Sequence, residues 1–248
     1  MADSLAPDSV DPLLTGGFGR PYVYRERCES TQALLDGDAP EGAVAVCDEQ
    51  TAGRGRRGRT WSAPSGTAVL MSILLRPPAE RRLPELSLVG GVATALTVER
   101  ATGLSAQIKW PNDVMLNRRK VAGVLADAEG GTAVLGVGLN VNQSREQLPA
   151  DAKVPAASLR TIDAVTRGRA RVLADLVLEL ERTYKLWAAG GLEEIYAELG
   201  SRDFLRGRRV EVEGVEGIAV GIGRDGLLEI AVDGTTRRIE SGDVAYLR

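Results

Sequence analysis

The chain has 248 residues, with 31 lysines and arginines against 34 aspartates and glutamates, for a formal net charge of −3. That length fits one large domain or one plus a small one, and the mildly acidic balance argues against generic nucleic-acid binding. Histidine is absent, which excludes Ser-His-Asp and Cys-His catalysis and every histidine metal site.

In chain order, the acidic N-terminus has no signal-peptide core. A loose tail over residues 1–19 of a cytoplasmic protein is expected. Residues 22–27 read as a first strand, and Ser30-Thr31 open a short helix through Leu35. Both hydroxyls are also common helix N-caps. A strand from Ala43 and a strand from Thr67 flank a polar loop. Cys28 and Cys47 sit beside these strands without metal-ligand spacing, so they read as reduced, partly buried thiols. Leu86 to Thr102 is a predicted helix with Leu86, Val89, Ala93, Leu96 and Val98 on a broad apolar face. Two apolar runs around Asn117-Arg118-Arg119 read as a β-hairpin, followed by a glycine-rich strand over 134–142. Residues 143–168 are expected to be mostly loop, broken by Pro149 and Pro155, before a helix from Arg169 to Ala188 and a shorter one from Leu192 to Leu199. No run is apolar and long enough to span a membrane. Composition shifts near Ser201. Short β runs with glycine turns then suggest a small barrel.

Three segments carry chemistry. Gly53-Arg54-Gly55-Arg56-Arg57-Gly58-Arg59-Thr60-Trp61 sits between two strands and reads as a clamp for a multiply charged anion. It nearly matches a P-loop, but Trp61-Ser62-Ala63-Pro64-Ser65-Gly66 breaks a helix where a P-loop must open one. An RGG-like nucleic-acid segment or a flexible basic loop are the other readings of the same residues. Lys109-Trp110-Pro111-Asn112-Asp113 turns into the hairpin, and Lys120 stands at the mouth of its second strand. In Gly136-Val137-Gly138-Leu139-Asn140, glycine inside a strand marks the close approach of a ligand or another backbone. No third glycine or helix follows, so this is not a dinucleotide fingerprint.

Taken with Ser30-Thr31-Gln32, Gln50-Thr51-Ala52 and Lys120-Val121-Ala122-Gly123, these segments resemble, in order, the motifs of biotin protein ligases, over roughly residues 20–248. The resemblance implies an α+β fold: a mixed β-sheet flanked by helices, the class II synthetase-like biotin/lipoyl ligase catalytic domain, over residues 1–200. A small SH3-like β-barrel over residues 201–248 follows. Nothing resembling two helices precedes Ser30, so the type without a DNA-binding domain is expected.

The reaction implied is activation of biotin by ATP to biotinyl-5′-AMP, then transfer to a lysine of a biotin carboxyl carrier domain of acetyl-CoA or a related acyl-CoA carboxylase. Step one brings two anions together, so cations must neutralise them. Arg56, Arg59 and Lys120 are the candidates, with magnesium on the phosphates. By resemblance, Ser30, Thr31, Gln50 and the backbone of Arg54 and Gly123 serve the biotin ring, with Lys120 at its carboxylate. Trp61 covers the adenylate or packs in the core. Asn112 and Asn140 contact the nucleotide. Asp113 orients magnesium, accepts a proton from the acceptor lysine, or caps the turn. The glycines predict a loop that is mobile before binding and orders over the adenylate. No nucleic-acid or membrane partner is expected, and the state is monomer or weak homodimer. Lipoate or octanoate ligation is the nearest rival. A nucleic-acid binder or a degenerate biotin sensor are the others.

Overall fold

The computed structural model describes residues 3–150 and 154–246. The parts of the tail, the 143–168 loop and the C-terminal unit at 1–2, 151–153 and 247–248 lie outside the described residues. The centre is a seven-stranded sheet of β1 (Tyr22–Cys28), β2 (Val44–Gln50), β3 (Ala68–Leu75), β4 (Gln107–Lys109), β5 (Asp113–Leu116), β6 (Arg119–Glu129) and β7 (Thr132–Asn140). Their order is β1-β2-β3-β7-β6-β5-β4. β1 and β2 are parallel and the remaining pairs antiparallel, so the sheet is mixed as expected.

Side chains alternate across a strand, and here the two faces differ in size. Met71, Ile73, Val124, Leu135 and Val137 join the main core. The intervening positions Ser72, Gly123, Gly136 and Gly138 line a cleft on the sheet. The core side is covered by helices α2 (Leu86–Thr102) and α4 (Arg169–Gly190), which pack on each other. α2 is buried nearly all round, not on one face, because sheet, α4 and C-terminal residues enclose it. At its closest approach a Cβ on Gly90 would lie 2.7 Å from Val124 Cγ1, so glycine lets the helix settle on the sheet. Among its described residues the 143–168 stretch carries a 3-10 turn, Arg145–Gln147, and a short helix, α3 (Leu159–Asp163), capped by Ser158.

After α5 (Tyr196–Ser201), five strands form a second antiparallel sheet: β8 (Arg209–Val212), β9 (Val215–Ile222), β10 (Leu228–Val232), β11 (Thr235–Ile239) and β12 (Ala245–Tyr246). Its order is β11-β10-β9-β8-β12. This sheet does not stand apart. Ile108 N donates to Arg202 O at 2.7 Å, and Phe204 N donates to Ile108 O at 3.0 Å. Phe204, Leu205, Ile222 and Leu228 belong to the same apolar cluster as α2. No helix among the described residues is long and apolar enough to cross a membrane.

The expected loose tail is instead docked. α1 (Pro7–Val10) and a following 3-10 turn place Leu5, Val10, Leu14 and Phe18 in the core. The polar anchor is Arg169, 1% exposed at the start of α4. Its guanidinium reaches Asp3 at 2.9 Å and Asp48 at 2.6 Å, while Asp3 Oδ1 accepts from the Arg169 backbone N–H at 2.8 Å. Asp3 thus caps the helix from a distant part of the chain, and two carboxylates offset a cation held at the positive helix end. Removing one partner of such a network strands the others without compensation. Arg169→Ala is expected to lower the unfolding free energy by about 3–5 kcal/mol in urea titration. A loss below about 1 kcal/mol would place the pairs in solvent.

Candidate active site

One row of the sheet register runs Cys47, Leu70, Gly138, Gly123, Asp113, Lys109 across the strands. The next row on the same face carries Ala45, Ser72, Gly136 and Leu125. Above these rows lies a cleft of about 760 Å³. It is lined by every residue given a binding or catalytic role in the sequence: Ser30, Thr31, Gln50, Arg54, Arg56, Arg59, Trp61, Asn112, Asp113, Lys120, Gly123 and Asn140.

The arginine loop is built by its own backbone. Gly55 N donates to Arg59 O at 2.6 Å and Trp61 N to Gly53 O at 2.9 Å. No helix follows, in keeping with the rejected P-loop. A Cβ on Gly53 would sit 2.3 Å from Trp61 O, so only glycine closes this turn. Three of its four arginines are paired: Arg54 with Asp127 at 2.9 Å, Arg57 with Glu213 at 2.5 Å and Arg59 with Asp243 at 2.7 Å. Two of those carboxylates come from the C-terminal sheet region, so the loop is tied to it. Arg56 differs. It makes no ion pair among the described residues, and its Nη1 is buried without a partner. Burial lowers its pKa, opposed by Asp243 and reinforced by Arg57. An orphaned buried cation facing a cleft is a site awaiting an anion.

Across the cleft, Lys120 Nζ pairs with Asp113 Oδ1 at 2.6 Å. The Lys120 backbone is pinned on both sides: its N donates to Pro155 O at 2.8 Å and its O accepts from Ala157 N at 2.9 Å. Lys109 enters the cleft beside this pair and is only 5% exposed. Burial lowers its pKa, with Asp113 opposing and Lys120 adding to the effect. The burial of Lys109 has no local signature in sequence, which gives no role for it beyond its motif.

The far wall is polar and neutral. Thr31 N donates to Gln50 Oε1 at 2.8 Å, and Thr31 Oγ1 lies 3.2 Å from the same atom and 2.7 Å from Ser72 Oγ. Ser30 occupies the N-cap position of the 3-10 turn Thr31–Leu34 but makes no capping bond. Neither hydroxyl is spent on capping the turn. Ser72, a lone hydroxyl in the apolar run Val69–Leu75, is a cleft residue the sequence reading missed.

At the glycine strand a side chain, Trp61, makes the close approach, where a ligand or another backbone was expected. A Cβ on Gly138 would lie 2.4 Å from Trp61 Cε2, and one on Gly123 2.9 Å from Cζ3. The indole Nε1 is buried and unpartnered, and Lys120 Nζ lies 5.4 Å from the ring centroid. Trp110 is a core residue whose Nε1 donates to Gly226 O at 2.9 Å. Asn112 and Asn140 line the cleft, yet their amides brace the fold: Asn112 Nδ2 donates to Val124 O at 2.8 Å, and Asn140 donates to Ala157 O and accepts from Gln143. Cys28 and Cys47 are free thiols pushed up in pKa by burial, which makes them poor nucleophiles.

The described residues contain no cluster of three or more histidine, cysteine or acidic side chains. Asp113 is committed to Lys120 and Asp243 to Arg59. The residues present do not build a metal cage of their own.

A family model, the Biotin/lipoate A/B protein ligase family, matches residues 24–144. The biotin–[acetyl-CoA-carboxylase] ligase of Mycobacterium tuberculosis is 34% identical over 254 positions, covering 96% of this chain and 94% of its own. The bifunctional ligase/repressor BirA of Bacillus subtilis is 34% identical over 94% of this chain and 76% of its own. The biotin protein ligase of Aquifex aeolicus, solved with biotin and ATP, superposes with a TM-score of 0.83 at 29% identity, covering 91% of this chain and 98% of its own. The chain belongs to the biotin/lipoate protein ligase family.

Gly138→Ala is expected to push the Trp61 indole off the sheet, at a stability cost of about 1–3 kcal/mol. It should also loosen ligand binding at the cleft, read by calorimetry. Unchanged stability and binding would show that the indole does not rest there.

Proposed function

We propose that this chain is an ATP-dependent biotin protein ligase that forms biotinyl-5′-AMP and transfers biotin to a carrier-domain lysine. The observation that carries the reading is one cleft holding an unpartnered buried Arg56, the Lys120–Asp113 pair and the neutral Thr31–Gln50 wall. That layout suits a molecule with an anionic end and a polar neutral ring.

In the first step a biotin carboxylate oxygen attacks the α-phosphorus of ATP, and the bond to the departing pyrophosphate breaks. Arg56 and Lys120 neutralise the two reacting anions, and Arg59 supports the phosphates from the loop. Preorganised cations cost no reorganisation as charge develops. Ser30, Thr31, Gln50 and the backbone of Arg54 and Gly123 hold the ring, and Trp61 covers the adenylate. Asn112 and Asn140 shape the nucleotide end through the strands they brace. Magnesium would supply charge neutralisation at the phosphates, and Asp113, paired with Lys120, is the cleft carboxylate that would face it. In the second step the acceptor amine attacks the acyl carbon and AMP leaves. Asp113, beside Lys120, is proposed to take the amine's proton. Lys109, buried beside it, adds positive potential for the phosphates.

The acceptor is the carrier domain of acetyl-CoA or a related acyl-CoA carboxylase. The protein works in the cytoplasm as a monomer or weak homodimer, without nucleic acid or membrane. The acidic net charge supports the last point.

Pyrophosphate exchange into ATP should occur with biotin and not with lipoate or octanoate. Exchange with lipoate or octanoate alone would move the chain to the sister activity. Arg56→Ala is expected to lower exchange by about 10²–10³. It should also let adenylate escape, seen as biotinylation of bystander lysines. An Arg56→Ala protein that holds adenylate as long as the parent would overturn the gating part of the reading.

A further inference from the structure

Ser72 lines the cleft floor with no exposed surface of its own, and its hydroxyl closes a chain whose proton directions can be worked out. The Thr31 backbone N–H can only donate, so the Gln50 atom 2.8 Å away is its oxygen. That fixes the amide, with Gln50 Nε2 on the other side. Gln50 Oε1 carries no proton, so any proton between it and Thr31 Oγ1, 3.2 Å away, belongs to threonine. With the threonine proton spent there, the 2.7 Å contact between Thr31 Oγ1 and Ser72 Oγ is made by the serine proton. The reverse order would leave two oxygens facing each other at 3.2 Å with nothing between them. Ser72 is fully buried, and Thr31 Oγ1 is the one side-chain partner of its hydroxyl among the described residues.

We infer that Ser72 is a positioning residue that sets the hydrogen-bond polarity of the ring-binding wall. It drives the relay Ser72 to Thr31 to Gln50 and leaves Thr31 Oγ1 as an acceptor beside Gln50 Nε2 as a donor. An acceptor next to a donor complements an N–H next to a carbonyl, the edge of a cyclic urea. The wall therefore selects a ligand edge by proton direction as well as by shape. This rests on the biotin reading and goes beyond it, because it assigns the discrimination to a residue one hydrogen bond behind the ring partners Thr31 and Gln50.

Without the serine proton, the Thr31 hydroxyl is free to turn its own proton into the cleft. A site that holds a lone pair rigidly rejects a ligand that brings another; a hydroxyl that can rotate does not. The test compares calorimetric binding of biotin, of a cyclic carbamate analogue with ring oxygen in place of the ring N–H, and of ATP. The proteins are the parent, Ser72→Ala and Ser72→Thr, with thermal melting to check folding. In Ser72→Ala, the preference for biotin over the carbamate is expected to fall about tenfold, the size of one hydrogen bond. ATP binding should be unchanged, and Ser72→Thr should restore the preference. Equal weakening of biotin and carbamate would make Ser72 a packing residue and overturn the inference, as would an unchanged ratio. If the parent itself bound no biotin, the functional reading would fall first, and that result is distinct from either.

Discussion

The structure depends on an asymmetry between the two faces of its central sheet. Strand pleating forces successive residues to opposite sides, and here bulk goes one way. Met71, Ile73, Val124, Leu135 and Val137 fill the side under α2 and α4. Ser72, Gly123, Gly136 and Gly138 leave the other side hollow. Each buried aliphatic chain contributes about 1.5–3 kcal/mol, so the stabilising face and the cleft are made by the same strands in alternate positions. A rigid floor results, on which charged groups can be held without a large loop rearrangement.

The charges above that floor are sorted. The loop arginines that reach outward are neutralised by Asp127, Glu213 and Asp243. These are half-exposed pairs, each worth little for stability. What they do is orient. With its neighbours held, Arg56 is left facing inward with a buried, unpartnered nitrogen. Lys120 is held likewise by its backbone, between Pro155 and Ala157. Arg56 and Lys120 thus line one cleft, each held by what surrounds it.

Much of this was legible in sequence because the informative residues are local. The arginine loop, the Lys109–Asp113 turn and the hairpin each occupy a short contiguous run. The two long helices, α2 and α4, and the strands β1, β2, β3, β6 and β7 followed from pattern. The docked tail was not legible: Val10, Leu14 and Phe18 recur every four residues, but Pro12, Gly16 and Gly17 interrupt the spacing, and their anchor, Arg169, lies far along the chain. β11, Thr235–Ile239, carries threonines and arginines with no apolar alternation, so only its partner β10 reveals it. Glu213 and Asp243 become loop partners through the docking of the second sheet, which no window of sequence contains. Ser72 was hidden in a run that reads as a wholly buried strand, where one hydroxyl among aliphatics has no signature until Thr31 is laid over it.

Trp61 rests on Gly123 and Gly138 in the cleft with its indole N–H unpartnered, whereas Trp110 and Trp187 are sealed in the core with theirs bonded to Gly226 O and Glu85. The three indoles are thus unequal as chromophores. Two have fixed surroundings that ligand cannot reach. The third sits within reach of Lys120 and of whatever fills the cleft. The protein carries its own optical reporter: of the three indoles, Trp61 is the one that lines the cleft.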